Sequence, residues 1–352
     1  MNINDLLIYG RKYLLDSNIE NAPLKIRLLL EHVLNMNKFE LVINHTQEID
    51  DFKFNEFKNG LEKIKNNIPI QYIINNQEFM KINFYVDENV LIPQPDTEIL
   101  VEEVINYCAK NFSNSTVKIL DLCTGSGAIA ISLAKYIENC EVVATDISNK
   151  ALQIAKLNAE KNLVHKKINF IESDMFSNIN IYDFDIIVSN PPYIETSTIS
   201  SLDSEVQKEP KLALDGGIDG LDFYKIIINN AFNYLKNNGK LFLEIGYNQK
   251  DKLFELINTV ANQNAMRIST SVLNQVLNEA IAIVQPPTDK GKRLKIFYMT
   301  QASTKPPTFV VFVNDKQLFH FSYERYLVNQ LRKEFVLTGT PIRMIVREKH
   351  DE

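Results

Sequence analysis

Between residues 116 and 246, short apolar runs of strand character alternate with helical segments. No other feature restricts the fold of this 352-residue chain so tightly. Runs at 117–122, 142–144, 168–171, 184–188 and 240–245 read as strands, and segments at 128–136, 150–161 and 220–235 read as helices. Alternation of this kind predicts a mainly parallel, doubly wound sheet, because each parallel pairing needs a crossover connection.

The flanks read differently. Apolar positions in 5–15 and 24–34 recur at helical spacing, Pro23 sits where a helix begins, and 52–64 is a third, lysine-rich helical pattern. The stretch 78–92 alternates through Phe79, Ile82, Phe84 and Val86, as a hairpin does, and Pro93-Gln94-Pro95-Asp96-Thr97-Glu98 then reads as a turn followed by a helix start. Apolar residues make up 45% and charged residues 23%, enough for buried cores and unlike a disordered chain. No stretch approaches the roughly 18 uninterrupted apolar residues of a membrane span. The opening Met1-Asn2-Ile3-Asn4-Asp5 lacks the features of an export signal. Three cysteines, Cys108, Cys123 and Cys140, give neither an even disulfide framework nor metal spacing. A cytoplasmic protein without a metal is the expectation. Residues 265–352 hold 13 Lys+Arg against 8 Asp+Glu, and the preceding residues hold 25 against 36, so a mildly basic tail follows an acidic body.

The first strand of the alternating region runs into Asp121-Leu122-Cys123-Thr124-Gly125-Ser126-Gly127 and then a helix. Glycines there let a ligand approach the backbone beside a helix N-terminus, although close packing alone also selects them. The next strand ends at Thr145-Asp146, where a carboxylate can take both hydroxyls of a ribose or serve as a turn residue. The spacing is not Gly-x-Gly-x-x-Gly, so S-adenosyl-L-methionine is the better nucleoside cofactor to expect than a nicotinamide dinucleotide. The sharpest signal is Ser189-Asn190-Pro191-Pro192-Tyr193 after the fourth strand. Two prolines fix an extended turn. The Asn190 side-chain carbonyl and the rigid Pro191 carbonyl can accept both hydrogens of a planar NH2 group, and Tyr193 offers a flat face.

On these residues, positions 1 to about 262 resemble the release factor glutamine methyltransferases, the HemK or PrmC family. Asn-Pro-Pro-Tyr is shared with DNA adenine and cytosine amino-methyltransferases and RNA guanine methyltransferases. Other stretches are more selective: Pro69-Ile70-Gln71-Tyr72, Glu78-Phe79, Leu91-Ile92-Pro93-Gln94-Pro95-Asp96-Thr97-Glu98, and Glu209-Pro210-Lys211-Leu212-Ala213-Leu214-Asp215-Gly216-Gly217 followed by Asp219-Gly220-Leu221. The resemblance implies a helical release-factor-recognition bundle over 1–74 and a Rossmann-like methyltransferase sheet with its linking hairpin over 75–262. It further implies that Cys123, Thr124, Gly125, Ser126 and Gly127 line the methionine end of S-adenosyl-L-methionine, Asp146 holds its ribose and Met175 lies beside its adenine. Asn190, Pro191, Pro192 and Tyr193 then hold the acceptor glutamine. Gln94 stands where the family usually has Arg, and Met175 where it often has a bulkier residue.

A second resemblance covers 266–352. Arg267-Ile268-Ser269-Thr270, Lys292-Arg293-Leu294-Lys295-Ile296-Phe297-Tyr298-Met299-Thr300-Gln301, Pro306-Pro307-Thr308-Phe309-Val310, His320-Phe321-Ser322-Tyr323-Glu324-Arg325-Tyr326-Leu327 and Gly339-Thr340-Pro341-Ile342-Arg343 are similar to the C-terminal α+β KH-like domain of the GTPase Der. No Gly-x-x-x-x-Gly-Lys-Ser/Thr phosphate loop exists in the chain, so no GTPase activity is expected. The tail also lacks the Gly-x-x-Gly loop of RNA-clamping KH domains. Where the methyltransferase family adds two last strands, 261–264 pass straight into this tail. The sheet is therefore expected to lack its final pair. Strands 294–300 and 308–313 either cover the exposed edge or pack with helices of their own. Three functions stay open on the sequence: methylation of a glutamine in release factors, methylation of a nucleic-acid amino group, and a non-catalytic fusion whose tail binds ribosomal RNA or an assembly partner.

Overall fold

The computed structural model describes residues 1–352 apart from 16, 18, 113, 114, 266, 290, 291, 305, 336, 338–341 and 350–352. Its N-terminal helices are α1 (Ile3–Leu14), α2 (Ala22–Leu34), α3 (Lys38–Ile43), α4 (Asp51–Lys65) and α5 (Ile70–Ile74). Asn2 caps α1 through the Asp5 amide while Asp5 returns a bond to the Asn2 amide, a reciprocal cap that satisfies two orphan donors. Pro23 lies in the first turn of α2, as expected. Leu6, Ile26, Leu30, Phe57, Leu61 and Ile64 form the buried seam of the bundle. The short helices α3 and α5 were not anticipated, since five or six residues show too little periodicity to detect.

The hairpin is shorter than its alternation suggests. Strands β1 (Gln77–Phe79) and β2 (Ile82–Phe84) pair antiparallel through Phe79 and Ile82, and the chain leaves the sheet after Phe84. Met80 and Lys81 both sit at positive φ, 50° and 57°, the twist that a two-residue hairpin turn demands. Neither residue favours that region. The Met80 amide donates to Glu98 Oε1 at 2.6 Å and the Met80 carbonyl accepts from the Tyr136 hydroxyl at 2.5 Å, so tertiary bonds hold the turn. Glu98 belongs to α6 (Pro95–Asn111).

The alternating region forms β3 (Val117–Leu122), α7 (Ala128–Tyr136), β4 (Cys140–Asp146), α8 (Asn149–Lys161), β5 (Ile168–Glu172) and β6 (Phe184–Ser189). Then follow α9 (Lys211–Leu214), α10 (Asp222–Tyr234) and β7 (Leu235–Leu243). These strands make one sheet in the order β5-β4-β3-β6-β7. The pairings β3/β4, β3/β6 and β4/β5 are parallel, with Ile119, Leu120, Ile186 and Val188 fully buried. Leu122 pairs with both Thr145 and Ser189, so β3, β4 and β6 end level. The strand order reverses at β3, which opens a crevice at the carboxyl ends of β3 and β6. Strand β7 starts five residues before its expected place and takes in Asn237-Asn238-Gly239, with Asn238 at φ 70°. No further strand of this sheet follows β7 among the described residues.

By contact density the chain divides into two units, Met1–Asp222 with Asn237–Ile245, and Phe223–Lys236 with Gly246–Glu352. The second contains α10, α11 (Lys250–Ala265), α12 (Thr270–Ile283), the small pair β8 (Thr288–Asp289) and β9 (Lys292–Arg293), β10 (Ile296–Thr304), β11 (Pro307–Val313), α13 (Phe321–Glu334) and β12 (Arg343–Glu348). The expected tail strands form their own sheet, β10-β11-β12, with β10/β11 antiparallel and β11/β12 parallel. Leu273, Leu277, Phe309, Val311, Leu327 and Leu331 fill the core between that sheet and its two helices. Tyr323 and Tyr326 of α13 donate to the Val284 and Ala280 carbonyls, locking α13 to the end of α12. Of the Gly339-Thr340-Pro341-Ile342-Arg343 stretch, residues 339–341 lie outside the described residues.

Candidate active site

The glycine loop begins where β3 stops. Cys123 takes φ 61°, and the Thr124 amide donates to the Thr145 carbonyl at 2.9 Å, which binds the loop to the end of β4. The Thr124 hydroxyl donates to Asp121 Oδ2 at 2.6 Å. Burial pushes the Asp121 carboxyl up to about 7 against the pull of that hydroxyl and of the Ala130 amide. The two glycines have separate causes. Gly125, at φ 55°, faces open space: a Cβ there meets no atom within 4 Å. Gly127, at φ 83°, has none to spare, since a Cβ would stand 2.8 Å from Ile131 Cδ1 and 3.1 Å from the Ala155 Cβ. Asn158 of α8, fully buried, donates to the Ser126 and Tyr85 carbonyls and accepts from the Tyr85 amide at 2.7 Å. That side chain fastens the loop to the segment after the hairpin.

Asp146 closes the other side of the loop. Its Oδ2 accepts from the Gly125 amide and its Oδ1 from the Ser148 amide, each at 2.9 Å. Burial raises this carboxyl, and the loop amides oppose the shift. A carboxylate has roughly four acceptor directions, so two bonds leave capacity for further donors. Met175 is buried at φ 48°, held where the Ser173 hydroxyl donates to its carbonyl. Its sulfur lies 3.7 Å from the Cys123 Sγ. Burial drives the Cys123 thiol strongly upward, which favours its neutral form.

The Asn190–Tyr193 segment starts from the end of β6. The Ser189 hydroxyl donates to the Leu122 carbonyl at 2.7 Å, which sets this segment beside the glycine loop. Pro191 and Pro192 are buried; Asn190 and Tyr193 are half-buried. The Ile194 amide donates to the Leu214 carbonyl and the Gly216 amide to the Ile194 carbonyl, so the Leu214-Asp215-Gly216 loop folds back on Tyr193. A Cβ on Gly216 would come within 2.7 Å of the Tyr193 Cα. Asn190 and Tyr193 open into a cavity of about 270 Å³ that Asp96, Glu209, Leu214 and Glu244 also line. Burial pushes the Glu209 carboxyl up to about 7, and its Oε2 accepts from the Ile92 amide at 2.9 Å. Burial also raises the Glu244 carboxyl, while bonds from Thr97 and Asn190 pull it back.

Every predicted site residue therefore lies at the carboxyl ends of β3, β4 and β6 or in the loop after β5. Met175 stands with Cys123, on the glycine-loop side. The sequence reading passed over Asn158 and Glu244, and quoted Asp121, Thr97 and Glu209 only inside longer motifs. An acidic residue inside the apolar run read as the last strand, 240–245, was the available signal for Glu244. Among the described residues no group of three His, Cys, Asp or Glu is placed to hold a metal ion, and no helix is long and apolar enough to cross a membrane.

A crevice at the reversal of a parallel sheet, with a glycine loop on one strand end and Asn-Pro-Pro-Tyr on the next, defines an amino-methyltransferase type of site. Residues 97–217 match the methyltransferase small domain family. Residues 5–74 match the PrmC N-terminal domain, and residues 267–347 match the KH-domain-like C-terminal domain of EngA bacterial GTPase enzymes. The release factor glutamine methyltransferase of Clostridium acetobutylicum is 37% identical over 273 residues, covering 77% of this chain and 94% of that protein. The protein of the same name from Buchnera aphidicola is 41% identical over 253 residues, covering 72% and 89%. A bifunctional methyltransferase of Rickettsia typhi is 41% identical over 253 residues, and this chain spans 49% of its length. The chain belongs to the release factor glutamine methyltransferase family.

Proposed function

We propose that this protein methylates the side-chain amide nitrogen of a glutamine in peptide-chain release factors. The observation that carries the reading is the Asn190-Pro191-Pro192-Tyr193 segment, which opens into a cavity beside the glycine-loop crevice. The open space at Gly125 and the adjacent Asp146 carboxylate, with the Cys123–Met175 contact on the same side, support binding of S-adenosyl-L-methionine there. In this reading Cys123, Thr124, Gly125, Ser126 and Gly127 hold its methionine end, Asp146 its ribose and Met175 its adenine. When bound, that cofactor supplies an electrophilic methyl group.

The chain's own residues hold the acceptor. Asn190 Oδ1 and the Pro191 carbonyl take the two hydrogens of the glutamine NH2, Pro192 keeps the turn rigid and Tyr193 lies against the amide plane. An amide nitrogen is a poor nucleophile at rest, so orientation supplies much of the catalysis. The proton that leaves needs no strong base, since an alkylated amide nitrogen releases it readily to water. Asp96, Glu209 and Glu244 around the cavity disfavour a phosphate-bearing acceptor, which supports a protein substrate over a nucleic acid. The absence of any disulfide among the three cysteines agrees with a cytoplasmic setting. The basic balance of the tail supports contact with RNA or the ribosome as its contribution. Incubation of the full chain with labelled cofactor and, separately, a release factor, RNA and DNA tests the reading. Label confined to a glutamine of the release factor is expected, and label in nucleic acid alone would overturn it.

A further inference from the structure

Asn190 can serve an incoming NH2 group only with its own side-chain oxygen directed outward, and an amide has two orientations of nearly equal shape. We infer that Thr97 and Glu244 are positioning residues that fix this orientation, a role that rests on the cavity being the acceptor site. Thr97 is buried in the first turn of α6, and Glu244 directly follows β7. Asn190 Nδ2 donates to Thr97 Oγ1 at 3.1 Å. The Glu244 carboxyl receives hydrogen bonds from the Thr97 hydroxyl and the Asn190 side chain. The Glu244 amide donates to the carbonyl of Ser189, the residue before Asn190, at 3.1 Å, so the backbones are tied as well.

The direction of the chain of bonds follows from what each group can offer. An ionised carboxylate only accepts. The Thr97 hydroxyl therefore spends its single hydrogen on Glu244 and has lone pairs alone for Asn190. Asn190 must then present its NH2 to Thr97 and Glu244, which leaves Oδ1 on the other arm of the amide as an acceptor. A flipped Asn190 would set its carbonyl against the carboxylate and leave donors where an NH2 has to bind. Glu244 also lines the cavity, whereas Thr97 acts from behind Asn190.

Three substitutions in the full chain test this. Thr97→Val removes the hydroxyl at nearly constant shape, and Thr97→Ser keeps it. Glu244→Gln supplies an amide that can donate to Thr97 and so reverse the direction of the bonds. With a release factor as substrate, Thr97→Val and Glu244→Gln are expected to lower kcat by about 10–100-fold, with KM and cofactor affinity within about threefold of wild type. Thr97→Ser is expected to recover most of the lost turnover. Wild-type kcat in the Val and Gln variants, a loss expressed as weaker cofactor binding, or a Ser variant as impaired as the Val variant would each overturn the inference. If Thr97→Val lowers the thermal midpoint, Glu244→Gln decides: the same kcat loss supports the role and an unchanged kcat refutes it. If wild-type protein labels RNA or DNA in place of release factor, the substrate reading fails, and the same comparison on that acceptor decides the inference. A wild-type chain that labels none of the three overturns both.

Discussion

The Asp146 carboxylate, at the end of β4, accepts from the amide of Gly125 in the loop after β3 at 2.9 Å. One side chain thus shapes the glycine loop and, in the proposed reading, offers its remaining lone pairs to a ribose. Asp146→Ala is expected to weaken cofactor binding by about 1–3 kcal/mol through lost charged hydrogen bonds. A calorimetric titration that finds wild-type affinity would reduce Asp146 to a turn residue.

The loop glycines should respond differently to the same added methyl group. At Gly127 a Cβ meets Ile131 at 2.8 Å, so Gly127→Ala is expected to destabilise the fold by about 2–5 kcal/mol, overpacking adding to the cost of its left-handed backbone. At Gly125 the Cβ enters open space, and the folding cost is about 1–2 kcal/mol from the left-handed backbone alone. The greater effect of Gly125→Ala should fall on cofactor affinity. Denaturant midpoints and titrations on both variants separate the two, and an identical profile would contradict the assignment.

Asn190→Ala removes the proposed acceptor for the substrate NH2. Methyl transfer is expected to disappear while cofactor affinity stays within a few-fold, since the glycine loop and Asp146 are untouched. Turnover at the wild-type rate in this variant would sink the role given to Asn190.

Glu209 makes the cavity wall pH-dependent. Its carboxyl is raised from 4.5 to about 7 in the folded chain, chiefly by burial. The unfolded chain therefore loses this proton first, and the group progressively destabilises the fold as pH rises from about 4.5 to about 7. Glu209→Gln keeps an acceptor for the Ile92 amide without the charge. Its advantage over wild type should be near zero at pH 4 and grow to the order of 2–3 kcal/mol by pH 8. Parallel stability curves across that range would show that Glu209 is not held away from water.

The tail packs the core around its sheet from residues between 268 and 346. A fragment spanning 265–352 is expected to melt cooperatively and to show a near-ultraviolet circular dichroism signal, to which the stacked Tyr298 and Phe312 rings, 4.4 Å apart, contribute. It should neither transfer methyl groups nor hydrolyse GTP. A non-cooperative melt would mean that this core needs the rest of the chain.

Much of the architecture was legible because it rests on local periodicity and on residues with few conformational options. The strands β3 to β6 and helices α7 and α8 followed from apolar spacing, whereas the tail's separate sheet was one of two arrangements left open on the sequence. The prolines and glycines of the two loops marked chain turns that other residues resist. Short α3 and α5 escaped because one turn of helix has no period to read. The early start of β7 escaped because Asn237-Asn238-Gly239 reads locally as a turn, yet β7 takes it in with Asn238 in the left-handed region.

The chemistry of the site divides in the same way. Asn190, Pro191, Pro192, Tyr193 and the glycine loop are contiguous in sequence, and backbone constraint makes contiguous motifs recognisable. Thr97 and Glu244 stand 93 and 54 positions from Asn190 in the chain, counted from the residue numbers, and meet it only when α6 and the end of β7 are brought to β6. Asn158 reaches Ser126 and Tyr85 by the same kind of closure. The sequence specifies which groups can donate and which can only accept. Burial in the folded chain raises the Glu209 and Asp121 carboxyls to about 7, because desolvation acts on position in space and not on order along the chain.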